Sequence, residues 1–265
     1  MDYLEVPRLR LDRAAEHIRD FITEADAYLK TDPFGSTVEY FEEGGVKFVK
    51  LLFRVHREPP KRLGVIVGDC IHNLRAILDN IVWSLGAAFP PTDPKSRPDM
   101  LAFPVCKNED DFKKALKNPK YSSISAFPAA AQDLIRALQP IWRDNSLPGP
   151  ALYLGMLNDL WNMDKHRSPD LMGGTNHAVA LRGYNLQQPA SLAAGMAVLD
   201  GREFARGAVP PAGIPSDARV DLSVDVAFHV NGPAKGQIAR HLLGAFYYFV
   251  RDDVIARFEP IFPKP

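Results

Sequence analysis

Apolar positions recur at helical spacing most clearly between Gly64 and Ala88. Leu63, Val67, Cys70, Leu74, Ile77 and Ile81 form one seam along this stretch. Ile71, Leu78 and Val82 lie on one flank of the seam, and Ala76 and Trp83 on the other. A helix that is apolar on most sides is expected to be buried on most sides. Opposite the seam, His72, Arg75 and Asp79 fall within about one sixth of a turn of each other at ~100° per residue. Ionisable side chains in so apolar a helix need partners.

Elsewhere the pattern predicts further elements. Over residues 8–31, Leu9, Leu11, Ala14, Ile18, Phe21, Ile22, Ala25, Tyr28 and Leu29 recur at helical spacing, ended by Asp32-Pro33-Phe34-Gly35. Residues 36–42 and 46–55 alternate as strands around a Glu43-Gly44-Gly45 connection. Pro59-Pro60 opens the central helix. A Pro-rich connection over 89–108 follows, then helices over 109–117 and 128–138, and a third from near Pro148 to about His166, stopped by Ser168-Pro169. Strands are expected at 176–184 and 196–205, with a turn at Asp200-Gly201. Over 220–230 the alternation is cleanest. Val220, Leu222, Val224, Val226, Phe228 and Val230 point to a dry face, and Asp221, Ser223, Asp225 and His229 to a wet one. A closing helix spans about 234–258. Strands interleaved with long helices predict one α+β domain over 1–265. In it a bundle of about four helices packs on a small antiparallel β-sheet, and the β-rich segment 176–231 and the closing helix belong to the same domain as the core over 60–168.

Composition narrows the function classes. Hydrophobic content of 46% and charged content of 24% are ordinary for a globular chain. Net charge is zero, so nothing global points to a nucleic-acid or membrane partner, although a local basic patch stays open. Two cysteines without ligand spacing, no apolar leader and no uncharged stretch of membrane-spanning length fit a cytoplasmic protein with no membrane partner. No cofactor-binding motif is present: Gly173-Gly174 follows no strand–turn–helix pattern, and Ser122, Ser123 and Ser125 have no nucleophile-elbow context. Trp83, Trp142 and Trp161 stand at helical core spacing and are expected to pack. Phe246-Tyr247-Tyr248-Phe249 are expected in the core, with a homodimer interface as the other use.

A second polar cluster lies in LNDLWNMDKHR: Asn158, Asn162, Asp164, Lys165, His166 and Arg167. Helix C-terminal capping accounts for the basic run, but not for two asparagines on an apolar helix. The two clusters, with the Phe103-Pro104-Val105 step and the Gln139-Pro140 step between them, resemble a family of bacterial proteins of unknown function. That family shows a Gly-Asp-x-x-His-Asn-Leu-Arg-x-x-Leu-Asp helix and a Leu-Asn-x-x-x-x-Asp-Lys-His-Arg segment. The resemblance covers roughly residues 60–168. It implies that Asp69, His72, Asn73, Arg75, Asp79, Asn158, Asp164, Lys165, His166 and Arg167 occupy the family's polar positions, while Asn80 stands where many members have His. It implies no activity.

Three readings fit these residues. In the first the two stripes face each other as a structural network, with Asp79 and Asp164 paired to Arg75, Arg167 or Lys165. In the second they form a metal-free acid–base site for an anionic small molecule or RNA. His72 and His166 would move protons beside Arg75 and Asp79, Lys165 and Arg167 would hold the anion, and Asn73 or Asn158 would orient it. HEPN-type helical ribonucleases use an Arg and a His in this manner, but their Arg-x4–6-His spacing occurs here only at Arg10 and His17, expected on a solvated face. In the third, Asp69, His72, Asp79 and His166 bind a metal in a helical-bundle hydrolase, which Arg75 would oppose. The arrangement shared by all three brings both stripes to one buried polar pocket.

Overall fold

A computed structural model of the chain describes residues 2–90, 101–118, 121, 123–141, 149–175, 180–184 and 196–264. The chain is α+β. Its described helices are α1 (Glu5–Leu29), α2 (Lys61–Ala88), α3 (Glu109–Ala115), α4 (Ala129–Ala137), α5 (Pro150–Asp164) and α6 (Ala239–Tyr248). Helix α6 runs on into a π-helical stretch, Phe249–Ile255, and a last α turn, Ala256–Phe258. The strands are β1 (Phe34–Glu43), β2 (Val46–Val55), β3 (Leu171–Thr175), β4 (Ala180–Arg182), β5 (Ala197–Val198), β6 (Glu203–Ala208), β7 (Arg219–Asp221) and β8 (Val224–Phe228). Among the described residues they pair antiparallel, but as three small sheets rather than one, in the orders β1-β2-β6, β5-β3-β8 and β4-β7.

Two compact units divide the residues. The first comprises Met1–Asp20, Val65–Ser168 and Leu242–Pro265, and the second Phe21–Gly64 and Pro169–His241. In the first, the α2 seam is solvent-free: Val67, Cys70, Leu74, Ile77 and Ile81 are fully buried, as are Ile71, Leu78 and Val82. The other flank departs from the expectation, because Trp83 is 54% exposed. Val65, Asp69, His72, Trp83 and Ala87 together make one exposed stripe on α2. Helix α1 runs antiparallel to α2. The Ser84 hydroxyl donates to the Tyr3 carbonyl (2.7 Å), and the Cys70 thiol faces the Ala14 carbonyl (3.8 Å). His17, expected on a wet face, is buried. Phe246 and Phe249 are buried and pack their rings on Tyr153 of α5, whereas Tyr248 is exposed. Trp142 lies outside the described residues.

In the second unit, Gly44 and Gly45 take positive φ (57° and 76°), which suits a two-residue hairpin between β1 and β2. Val49, Leu51 and Phe53 are buried on one face with Val198 and Phe204. Within the strand expected at 176–184, residues 180–182 form β4 and residues 176–179 lie outside the description, while β3 at 171–175 is a strand the pattern does not predict. Glycine disfavours strands in isolation, which hid β3. Here close approach demands it: a Cβ on Gly173 would meet the Phe34 ring at 2.7 Å, and one on Gly174 would meet the Ala227 Cβ at 2.7 Å. The expected strand at 196–205 is split by the Gly201 turn into β5 and β6. The run over 220–230 breaks between β7 and β8, and its supposedly wet face is not wet at Asp225, which is 4% exposed. A buried carboxylate needs a cation, and Arg240 supplies one: its Nε lies 2.6 Å from Asp225, while its Nη2 donates to Asp26 (2.7 Å).

Gly174→Ala therefore overpacks the β3–β8 contact. The expected loss is about 1–3 kcal/mol, read as a lower urea midpoint with unchanged slope.

Candidate functional site

The first polar cluster is a clasp on the backbone of residues 102–106. This segment belongs to no ladder, yet Ala102, Phe103, Pro104 and Cys106 are buried, so its peptide groups must find partners elsewhere. Arg75 and Asp79, one turn apart on α2, take both peptide groups of Phe103. The Asp79 Oδ1 accepts from the Phe103 N–H (2.8 Å), and Arg75 Nη2 donates to the Phe103 carbonyl (3.0 Å). Arg75 Nη1 also donates to Asp79 Oδ1 (2.8 Å), and its Nε reaches Asn158 Oδ1 on α5 (3.4 Å). Gln139, fully buried just beyond α4, holds the next peptides. Its amide donates to the carbonyls of Pro104 (3.0 Å) and Ile135 (2.9 Å), and its Oε1 accepts from the Cys106 N–H (2.9 Å). The Phe-Pro and Gln-Pro steps are thus two halves of one contact.

Arg75 is 4% exposed and its guanidinium is fully engaged on three sides. It also lies over the Trp161 ring (4.9 Å to the centroid), as does Lys165 Nζ (3.1 Å). Trp161 is therefore a platform for two cations rather than a plain core residue.

Of the sequence-selected residues, Arg75, Asp79 and Asn158 come together. Asn73 sits apart on the α1 side of α2. Its amide donates to the Asp69 carbonyl (2.9 Å), and its Oδ1 accepts from Arg10 (3.5 Å). His72 and His166 are both exposed, so the expectation of buried imidazoles is corrected. His72 falls on the solvent stripe of α2. Lys165, His166 and Arg167 lie past the last residue of α5 in an exposed turn, where the His166 and Arg167 N–H groups both donate to the Met163 carbonyl (3.0 Å each). Lys165 donates to Asn162 (3.3 Å). Positive side chains at a helix C-terminus complement its dipole.

Asp164, which ends α5, lies against the backbone of α2: a Cβ on Gly68 would come within 3 Å of its carboxylate. Burial raises the Asp164 carboxyl above the ordinary aspartate range, the Asp69 charge adds to this, and His72 opposes it. This contact between Gly68 and Asp164 was missed from sequence. The signal was present as a glycine inside the strongest helical run of the chain, a position that ordinarily favours alanine.

Among the described residues no three His, Cys, Asp or Glu side chains are grouped so as to hold a cation, and Asp69, His72, Asp79 and His166 are not brought together as one ligand set. A cavity of about 440 Å³ lies between the start of α1 and the chain's last residues, lined by Tyr3, Arg8, Glu259 and Phe262 among others, and none of the clustered polar residues faces it. Of its two cationic residues, Arg8 and Lys264, Arg8 is already held by Asp2 (2.8 Å) and Glu259 (2.6 Å). No described helix is long and apolar enough to cross a membrane. No family model, curated protein or solved structure matches the chain.

Two substitutions test this geometry. Replacing a mid-helix glycine by alanine normally stabilises by about 1 kcal/mol. Gly68→Ala is expected to do the reverse in the wild-type background and to become stabilising when Asp164 is also alanine, as thermal melts of the four proteins would show. Asp164→Asn tests the titration. A carboxyl whose folded pKa is raised binds its proton more tightly in the native state, so ionisation costs stability as pH rises through that window. Asp164→Asn is expected to be more stable than wild type at neutral pH, and the gap should close as pH falls below the ordinary aspartate range.

Proposed function

We propose that the chain is a non-catalytic binding or assembly module whose polar cluster is structural. The observation that carries this reading is the engagement of Arg75. Its guanidinium is spent on Asp79, Asn158 and the Phe103 carbonyl, away from solvent, and so is not free to stabilise charge developing on a substrate. A buried ion pair of this kind fixes register more than it stabilises. The two free cysteines, both buried, suit a reducing compartment, and we assign the protein to the cytoplasm.

Metal-independent acid–base hydrolysis of an RNA-like phosphodiester is the second reading. It is favoured by one feature: His72 is exposed within electrostatic reach of Asp164, a carboxyl biased towards its protonated form. In that reading His72 and His166 would exchange protons with a bound anion, and Lys165 and Arg167 would hold it.

Incubating wild type, His72→Ala and His166→Ala with a mixed-sequence RNA, in EDTA and in Mn²⁺, separates the two. The module reading expects no cleavage above the buffer blank in any tube. Cleavage that persists in EDTA and is lost in either histidine variant establishes the second reading instead. The same proteins provide the stability arm. Arg75→Lys cannot reproduce the forked contacts and is expected to cost about 3 kcal/mol in urea unfolding.

A further inference from the structure

Among the described residues the β1 strand is an open edge. Its one ladder among them is with β2, an unbroken register of ten residue pairs from Phe34↔Val55 to Glu43↔Val46. The two-residue Gly44-Gly45 turn makes Glu43↔Val46 a hydrogen-bonded pair, so Gly35, Thr37, Glu39, Phe41 and Glu43 bond inward to β2. The far side of β2 agrees. The Phe53 N–H donates to the Arg202 carbonyl (2.9 Å) and the Val209 N–H to the Lys47 carbonyl (2.8 Å), so the odd-numbered residues of β2 serve the β6 side. The peptide groups of Phe34, Ser36, Val38, Tyr40 and Glu42 consequently point outward, and no strand among the described residues pairs with them.

Natural edges of this length are blunted by charged side chains, lysine above all, or by proline, a bulge or brevity. Strand β1 has no lysine, proline or bulge and runs for ten residues. Its tip is instead acidic, and charge is sorted by strand. Glu39, Glu42 and Glu43 stand on β1, while Lys47, Lys50 and Arg54 stand on β2. The ladder places Glu39 opposite Lys50 and Glu42 opposite Lys47, and the first pair closes to 2.8 Å. Tyr40, near the middle of the strand, leaves 66% of its surface in water although it shares a face with Val38, which is half-buried against the core cluster.

We propose that β1 docks an extended, basic segment of a partner protein as an added outer strand of the β1-β2-β6 sheet. Backbone bonds to residues 34, 36, 38, 40 and 42 supply the attachment, and alternate side chains read the two faces. Opposite charges directly across a ladder are favourable and like charges are not. An added strand rich in lysine and arginine repeats on the outer side of β1 what β2 already does on its inner side. A second copy of β1 carries the same three glutamates and no lysine or arginine, so it offers these carboxylates no complementary charge. This extends the binding-module reading by naming a surface in the other unit. Its test reads peptide binding, not RNA cleavage or stability, so the two can fail separately.

The probe is a fluorescein-labelled, end-capped octapeptide of alternating threonine and lysine, titrated with the full chain and followed by anisotropy. Wild type is expected to bind it saturably and to ignore the threonine–glutamate counterpart. Glu39→Gln/Glu42→Gln/Glu43→Gln is expected to weaken binding several-fold. Val38→Pro removes an outward N–H without touching the β1–β2 ladder, so it is expected to weaken binding roughly tenfold while the thermal transition is kept. A second arm leaves the protein intact: peptides N-methylated on alternate residues are expected to bind when one set is methylated and to fail when the other is. Absence of binding to wild type, equal binding of both N-methyl series, or equal binding by Val38→Pro with its fold intact overturns the proposal. So does a wild-type dimer in sedimentation that Val38→Pro splits, since the occupant would then be a second copy.

Discussion

A buried peptide group without a hydrogen bond is costly, and residues 102–106 run through the interior of their unit with no sheet or helix to provide one. Side chains from two helices answer that demand. Arg75 and Asp79 serve one end and Gln139 the other, while Pro104, having no N–H, removes one donor from the problem. The charged pair is then explained by what it holds. Asp79 neutralises Arg75 and accepts from Phe103 with the same oxygen, and Asn158 ties the pair to α5. Taking away any member strands the rest in a low-dielectric interior, so the group stands or falls together.

The second unit solves a different problem, the close approach of backbone to side chain. Gly173 and Gly174 let the Phe34 ring and Ala227 sit directly on β3. Arg240 bridges Asp225 and Asp26, which lets a carboxylate survive inside a strand otherwise lined by Val226, Ala227 and Phe228. Both devices are local, and neither requires chemistry beyond packing and charge pairing.

The helices were legible because their period is long and repeated. All but their ends agree with the pattern, and the α2 seam is as dry as its sequence implies. The hairpin was legible from Gly44-Gly45 and the alternation around it. Strand β3 was not, because glycine carries no β signal and its reason lies in Phe34, over a hundred residues away. The candidate site was half legible. Polar residues in an apolar helix rightly pointed to a partnered Arg75, Asp79 and Asn158. Hydrophobicity does not reveal that Val65 and Trp83 share an exposed stripe with His72, and so the pattern alone puts the imidazole inside while the structure leaves it in solvent. Gln139 was visible as a step in a motif, but its task, closing a peptide-group account between distant segments, has no periodic signature.

The π-helical stretch at Phe249–Ile255 sets the phase of everything after it. Such a stretch amounts to one residue more than an α-helix needs over the same rise. Excising a single residue there would restore the regular winding and turn the following segment by about 100°. Phe258, now fully buried, would swing off the interior, and Glu259 would be carried away from Arg8. The extra residue is thus a register key: Phe258 and Glu259 dock where they do because the helix before them is out of step.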